Sequence, residues 1–212
     1  LVRHAETDWN TGKRFQGHSD TPLNELGRSR IAPVIEALKP WDPAIIFSSD
    51  LSRAREMAEQ VGAAFGLEVI TREDLRECNY GEWEGKTLEE VRRDHGEDLE
   101  KWRSNDAGFR RGAGESLLQM QERTLAAVES IAREHAGRTV VLVSHSGPVR
   151  GVICRVFDLP IDQRYRFEIN NASLSAIRRQ KDGQWQVLML NQTSHLDTDP
   201  GASSPVASLS QL

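Results

Sequence analysis

The sequence runs to 212 residues, 38% of them hydrophobic and 28% charged, with a formal net charge of −5 at pH 7. That length suits one domain around a single core, no apolar run reaches the roughly 18 residues that a membrane span needs, and an acidic chain lacks the basic face that displaces counterions from nucleic acid. Neither a membrane nor a nucleic acid is expected as partner, so any anion must be caught by a local pocket rather than by overall charge.

In chain order, Leu1 and Val2 read as the end of a buried strand, and residues upstream of Leu1 are expected to continue it. A helical pattern covers 24–38, where Pro33 must kink the helix or restart it near a new first turn. A short apolar strand follows at 45–47, then a helix over 52–65 and a strand over 68–71. Residues 81–114 break this alternation: charged, with Trp83 and Trp102, they suggest short helices and loops inserted as a cap. A long amphipathic helix over 115–135 is expected to turn Leu117, Leu118, Leu125 and Val128 inward. The stretch TVVLVS (139–144) is the clearest buried strand, and a Gly-Pro pair opens a helix over 148–157. Strands are expected at 166–169, 173–179 and, after a Lys-Asp-Gly turn, 184–190. Strands alternating with helices imply right-handed crossovers and a mostly parallel sheet covered on both faces, hence a three-layer α/β/α sandwich with a small helical cap. The domain is expected to fill 1–193. The tail 194–212, rich in Ser, Pro, Ala and Asp, is expected to be disordered.

Cys78 and Cys154 are far apart and lack metal-ligand spacing, so free thiols and a cytoplasmic location are expected. No HxH or HExxH pattern calls for a metal, and no cofactor is implied.

Ligands of an open parallel sheet bind beyond the carboxyl ends of its strands. The residues that follow strands are Arg3 and His4, Asp50 and Arg53, Arg76 and Glu77, and His145. Two imidazoles, two or three guanidiniums and a carboxylate from four segments would thus share one edge. Guanidinium forks match phosphate oxygens, an imidazole can attack phosphorus, and Glu77 can protonate a leaving oxygen. The second imidazole, with Arg3 and Arg53, would stabilise charge on the transferring group. His18, His95, His135 and His195 are expected to be ordinary surface or hydrogen-bonded residues.

The blocks RHAETDWN, SSDLSRAREMAE, LRECNYGEWEG and VLVSHSGP resemble, in order and spacing, the histidine phosphatase superfamily, in the branch of cofactor-dependent phosphoglycerate mutases and their phosphatase relatives. The resemblance implies that His4 is the nucleophile, Glu77 the proton donor and His145 the second pocket histidine. It implies phosphate contacts from Arg3, Asn10 and Arg53, and more weakly from Gln16 in RFQG. The substrate would be a small phosphorylated metabolite, and the assembly a homodimer or homotetramer. Three positions depart from the family pattern: Ala5 for Gly, Met57 for Thr, and Ser146 where Gly is frequent.

Mutases carry an Arg after the catalytic Glu, where this chain has Cys78, a neutral thiol that cannot pair with a substrate carboxylate. RRGAGESLLQMQER also resembles the PGGES block of short phosphatases. A cofactor-independent phosphatase is therefore expected, although Arg103, Arg110 and Arg111 in the cap leave room for a charged substrate. A mutase, a non-catalytic phosphate-binding module and a metal hydrolase are the alternatives.

Overall fold

A computed structural model describes residues 1–104 and 106–196. Its centre is a six-stranded sheet in the order β3-β2-β4-β1-β5-β6. Strands β1 (Val2–Arg3), β2 (Ile45–Ser49), β3 (Val69–Arg72) and β4 (Val140–Ser144) run parallel, and β5 (Leu174–Arg179) and β6 (Trp185–Gln192) close one side as an antiparallel hairpin. Successive side chains on a strand face opposite ways. Ile46, Val141 and Val143 therefore pack under α3 (Ile31–Leu38) and α4 (Ser52–Phe65), with Val34, Met57, Ala58 and Val61. Phe47 and Leu142 meet α7 (Leu117–Glu134) and α8 (Ser146–Val156) on the other face, with Val128, Ile131 and Val152. These are the three layers that the alternating pattern implies.

Strand β1 is short but held on both sides. Val2 pairs with Val143 in β4 and Leu174 in β5, and Leu1 exchanges two backbone hydrogen bonds of 2.8 Å with Ser175. His4 continues the pairing through its N–H to Ser144 O at 2.9 Å, and the one-turn helix α1 (Asp8–Thr11) follows.

Several elements differ from the sequence pattern. The stretch 24–38 breaks at Arg30 into α2 (Glu25–Ser29) and α3, which leaves Pro33 in the first turn, where its missing N–H needs no partner. In α7 the buried residues are Leu117, Met120, Thr124, Ala127, Val128 and Ile131, so Leu118 lies beside the stripe and is 52% exposed, not inward as expected. The strand expected at 166–169 is not formed. After Pro160 the chain instead makes a 3₁₀ helix, Ile161–Arg166, whose buried Ile161 and Arg164 are three residues apart, the period of that helix.

Residues 81–114 hold the short helices α5 (Leu88–Asp94) and α6 (Gly96–Arg103), packed around Trp83, Val91 and Leu99 with Phe15 and Trp102. The cap grips the loop after β1 through Phe15 N–H to Lys86 O and Gly85 N–H to Phe15 O, 2.9 and 2.8 Å. At the far end, Ser194–Leu196 form a 3₁₀ turn with Leu196 against the α3 side of the core, and the rest of the tail lies outside the described residues.

Candidate active site

The carboxyl ends of the parallel strands open into a cavity of about 140 Å³ lined by Arg3, His4, Asn10, Arg14, Phe15, Gln16, Arg53, Glu77, Tyr80 and Ser146. His4 emerges directly from β1 and is buried. Its Nδ1 lies 2.6 Å from Ala5 O, and because a carbonyl only accepts, Nδ1 carries the proton and Nε2 is left with a free lone pair. His145 caps α8 at the end of β4, fully buried, its ring centroid 5.0 Å from that of His4. Neither of its ring nitrogens has a partner among the described residues.

Two guanidiniums reach the cavity with their charge unspent. Arg3 donates to Ile169 O at 2.7 Å, and Arg53 to Gly17 O and Ser19 O, each at 2.8 Å. Both Nε atoms are buried and have no partner among the described residues. Burial lowers each guanidinium pKa to about 10, still fully charged at neutral pH. Burial, then the charges of Arg53 and Arg3, hold His4 well below the usual imidazole value despite the Ala5 bond; His145 is depressed by burial, Arg53 and His4. Both imidazoles are therefore neutral at pH 7.

Two amides complete the array. Asn10 Oδ1 accepts from Thr7 N, Thr7 Oγ1 and Asn171 Nδ2 at 3.0–3.3 Å, and Gln16 Oε1 accepts from Thr21 Oγ1 at 2.8 Å. With both carbonyl oxygens engaged inside the protein, each residue offers its NH₂ to the cavity. The Gln16 loop is shaped by Gly17 at φ +53°, pressed against Glu84 so closely that a Cβ would stand 2.0 Å from Oε1. Glu84 in turn accepts from His18 N, Ser19 N and Ser19 Oγ at 2.6–2.8 Å.

Glu77, also buried, is fixed by N–H groups rather than by the arginines. Cys78 N donates to Oε1 at 2.8 Å and Gly147 N, in the first turn of α8, to Oε2 at 3.2 Å. The structure thus gathers His4, Glu77, His145, Arg3, Asn10, Gln16 and Arg53 in one place. Asp50 and Arg76, expected at the same edge, pair with each other beside it and do not line the cavity. Arg14, Phe15 and Tyr80 line it without having been anticipated, since their direction depends on how the cap docks. Among the described residues no group of three or more His, Cys, Asp or Glu is placed to hold a metal ion.

Residues 1–193 match the sequence model of the histidine phosphatase superfamily (branch 1). The chain belongs to that superfamily. It is 33% identical over 196 residues to phosphoserine phosphatase 1 of Hydrogenobacter thermophilus, covering 92% of each chain. It is 34% identical to phosphoglycerate mutase-like protein 4 of Arabidopsis thaliana, covering 93% of this chain and 86% of that protein. Among solved structures it resembles the mycobacterial glucosyl-3-phosphoglycerate phosphatase with VO3, with a TM-score of 0.82, 31% identity, and coverage of 91% of this chain and 97% of that one.

Against the superfamily's pattern, Ala5 keeps a negative φ and so tolerates its Cβ, and Met57 is wholly buried in the α3–α4 core, away from the cavity. Ser146 does line the cavity. No described helix is long and apolar enough to cross a membrane.

Proposed function

We propose that this histidine phosphatase hydrolyses small phosphomonoesters through a phosphohistidine on His4. The carrying observation is a neutral, buried imidazole with its Nδ1 pinned, facing donors from Arg3, Arg53, Asn10 and Gln16. Those donors neutralise and orient a phosphoryl group as charge spreads over its equatorial oxygens, and they need no rearrangement to do so. The Nε2 lone pair of His4 forms the N–P bond as the bond to the leaving oxygen breaks, and Glu77 gives that oxygen its proton. In the second half, Glu77 takes a proton from the attacking water, the N–P bond breaks and inorganic phosphate leaves. His145, whose ring nitrogens have no partner among the described residues, supplies a further hydrogen bond to the phosphoryl oxygens.

Hydrolysis is favoured over mutase transfer by what surrounds Glu77. Cys78 turns its thiol toward Glu115 O at 3.5 Å, and burial pushes that thiol up to about 12, so it is neutral. Of the cap arginines named above, Arg103 pairs with Glu100, Arg110 bonds to the carbonyls of Ala113 and Gly114, and Arg111 packs on the Tyr80 ring; neither these three nor Arg92 and Arg93 line the cavity. The names of the relatives, a phosphoserine phosphatase and a glucosyl-3-phosphoglycerate phosphatase, support a phosphorylated metabolite as substrate. The catalytic unit is 1–193 with 81–114 as its cap, acting without metal, and the two free buried thiols support a cytoplasmic setting.

A panel of phosphomonoesters assayed with EDTA present tests this reading. Phosphate release from at least one metabolite is expected, and activity that vanishes with EDTA and returns with zinc or magnesium would contradict it. Incubation with 3-phosphoglycerate and a bisphosphate primer should not yield 2-phosphoglycerate rapidly.

A further inference from the structure

Glu77 must be a carboxyl in one half of the proposed cycle and a carboxylate in the other. Two of its partners, Cys78 N–H and Gly147 N–H, can only donate, so neither can accept a hydrogen bond from a protonated Oε2. The third is different. Ser146, the first residue of α8, places its Oγ 3.3 Å from Glu77 Oε2 and lines the same cavity. A hydroxyl donates to a carboxylate and, by rotating, accepts from a carboxyl, so this partner serves both states without a shift of the heavy atoms. The approach is close: a Cβ on Gly147 would stand 2.1 Å from Glu77 Oε1, which leaves the carboxyl little freedom to turn away. The other charged or titratable groups facing it are Arg3 and Arg53 across the cavity, with Tyr80 and Cys78 beside it.

We propose that Ser146 is the positioning residue of the proton donor, its hydroxyl holding Glu77 Oε2 in both protonation states. Before transfer the Oε2 proton rests against Ser146 Oγ; it then turns to the leaving oxygen and moves onto it as the P–O bond breaks, and the Ser146 hydroxyl turns to donate to the carboxylate left behind, keeping its own proton. This inference rests on the phosphatase reading.

The test compares kcat/KM on an alkyl phosphate such as β-glycerophosphate, whose leaving group needs a proton, with p-nitrophenyl phosphate, whose leaving group does not. Ser146→Ala should lose roughly tenfold on the alkyl ester and less than about twofold on the aryl ester, the size expected for one hydrogen bond to a charged group. Ser146→Thr, which keeps the hydroxyl, should restore the alkyl rate to within about threefold of wild type on the same reasoning. Inorganic phosphate should bind all three proteins alike, which separates positioning from a damaged pocket. Equal losses on both esters, no loss on either, or failure of Thr to rescue would overturn the inference. Wild-type protein inert on both esters and on every phosphomonoester of the panel would instead overturn the phosphatase reading, and this inference with it.

Discussion

Two groups of arginines lie side by side in this protein and are treated in opposite ways. On the pocket floor, Arg3 and Arg53 are oriented by carbonyl oxygens of Ile169, Gly17 and Ser19. Beside the pocket, Arg76 is gripped by Asp50 and Glu73, and Arg123 by Glu115. A carbonyl fixes a guanidinium without consuming its charge, whereas a carboxylate fixes it by neutralising it. The difference appears in the acidities: burial pulls Arg3 and Arg53 down, while the Asp50 hydrogen bond raises Arg76. Buried cations with neutral partners store a demand for an anion, and that stored demand marks the binding site.

The strongest way to probe this contrast begins with Glu77, which is held by N–H groups and the Ser146 hydroxyl and leaves Arg3 and Arg53 without a carboxylate partner among the described residues. Glu77→Gln keeps the shape but cannot transfer a proton, so phosphorylation by an alkyl ester should slow on the order of 10²–10⁴-fold, with a much smaller loss on an aryl ester. Equal losses on both would make Glu77 structural.

Next, Arg53→Met should lower kcat/KM by about 10²–10³-fold, the range for removing a preorganised charge-stabilising donor. Melting of the empty protein should hold steady or rise, because an unpaired buried charge is exchanged for packing. Arg76→Met should do the reverse, leaving kcat/KM within a few fold and lowering stability by about 1 kcal/mol or less, as expected for a partly exposed ion pair. Matching losses in the two variants would erase the distinction.

A smaller effect tests the cause of the histidine shifts. The folded His4 and His145 stay neutral where unfolded histidines, with a pKa near 6.5, take up protons, so the unfolded state binds more protons below that pH. Stability of the empty enzyme should therefore fall as pH drops from about 6.5. Inorganic phosphate, or Arg53→Met, should flatten that fall by opposing or removing a positive neighbour. Melting curves between pH 8 and 5.5 that keep one slope in all three cases would contradict it.

The smallest effect concerns Asp50, held below its ordinary carboxyl value by the Arg76 hydrogen bond. Its contribution is present above about pH 4 and lost as pH falls through the depressed folded value. Asp50→Asn should remove well under about 1 kcal/mol at neutral pH and leave turnover unchanged. A large loss of turnover would place this pair in the catalytic machinery.

The same contrast explains what the sequence disclosed. Strand ends could be read because IIFSS and TVVLVS are short apolar runs, and whatever follows such a run lands on the sheet edge; hence Arg53 and His145 were in view. Sequence could not tell Arg76 from Arg53, since the two differ only in partner, and Asp50 lies 26 residues from Arg76. Arg14, Phe15 and Tyr80 escaped notice because they sit in loops aimed by the docked cap, which has no periodic pattern. Leu118 and 166–169 misled for a related reason: one helical position, or a three-residue period, separates buried from exposed, and composition alone does not fix that phase.

The central claim is that His4 carries the phosphoryl group. Mixing enzyme with a substrate, quenching under denaturing alkaline conditions within one turnover and mapping peptides by mass should find one acid-labile phosphoryl group on the peptide bearing His4, and none in His4→Ala, whose turnover should fall at least about 10⁴-fold. Hydrolysis that proceeds in His4→Ala at the wild-type rate, or label on a different residue, would contradict the account.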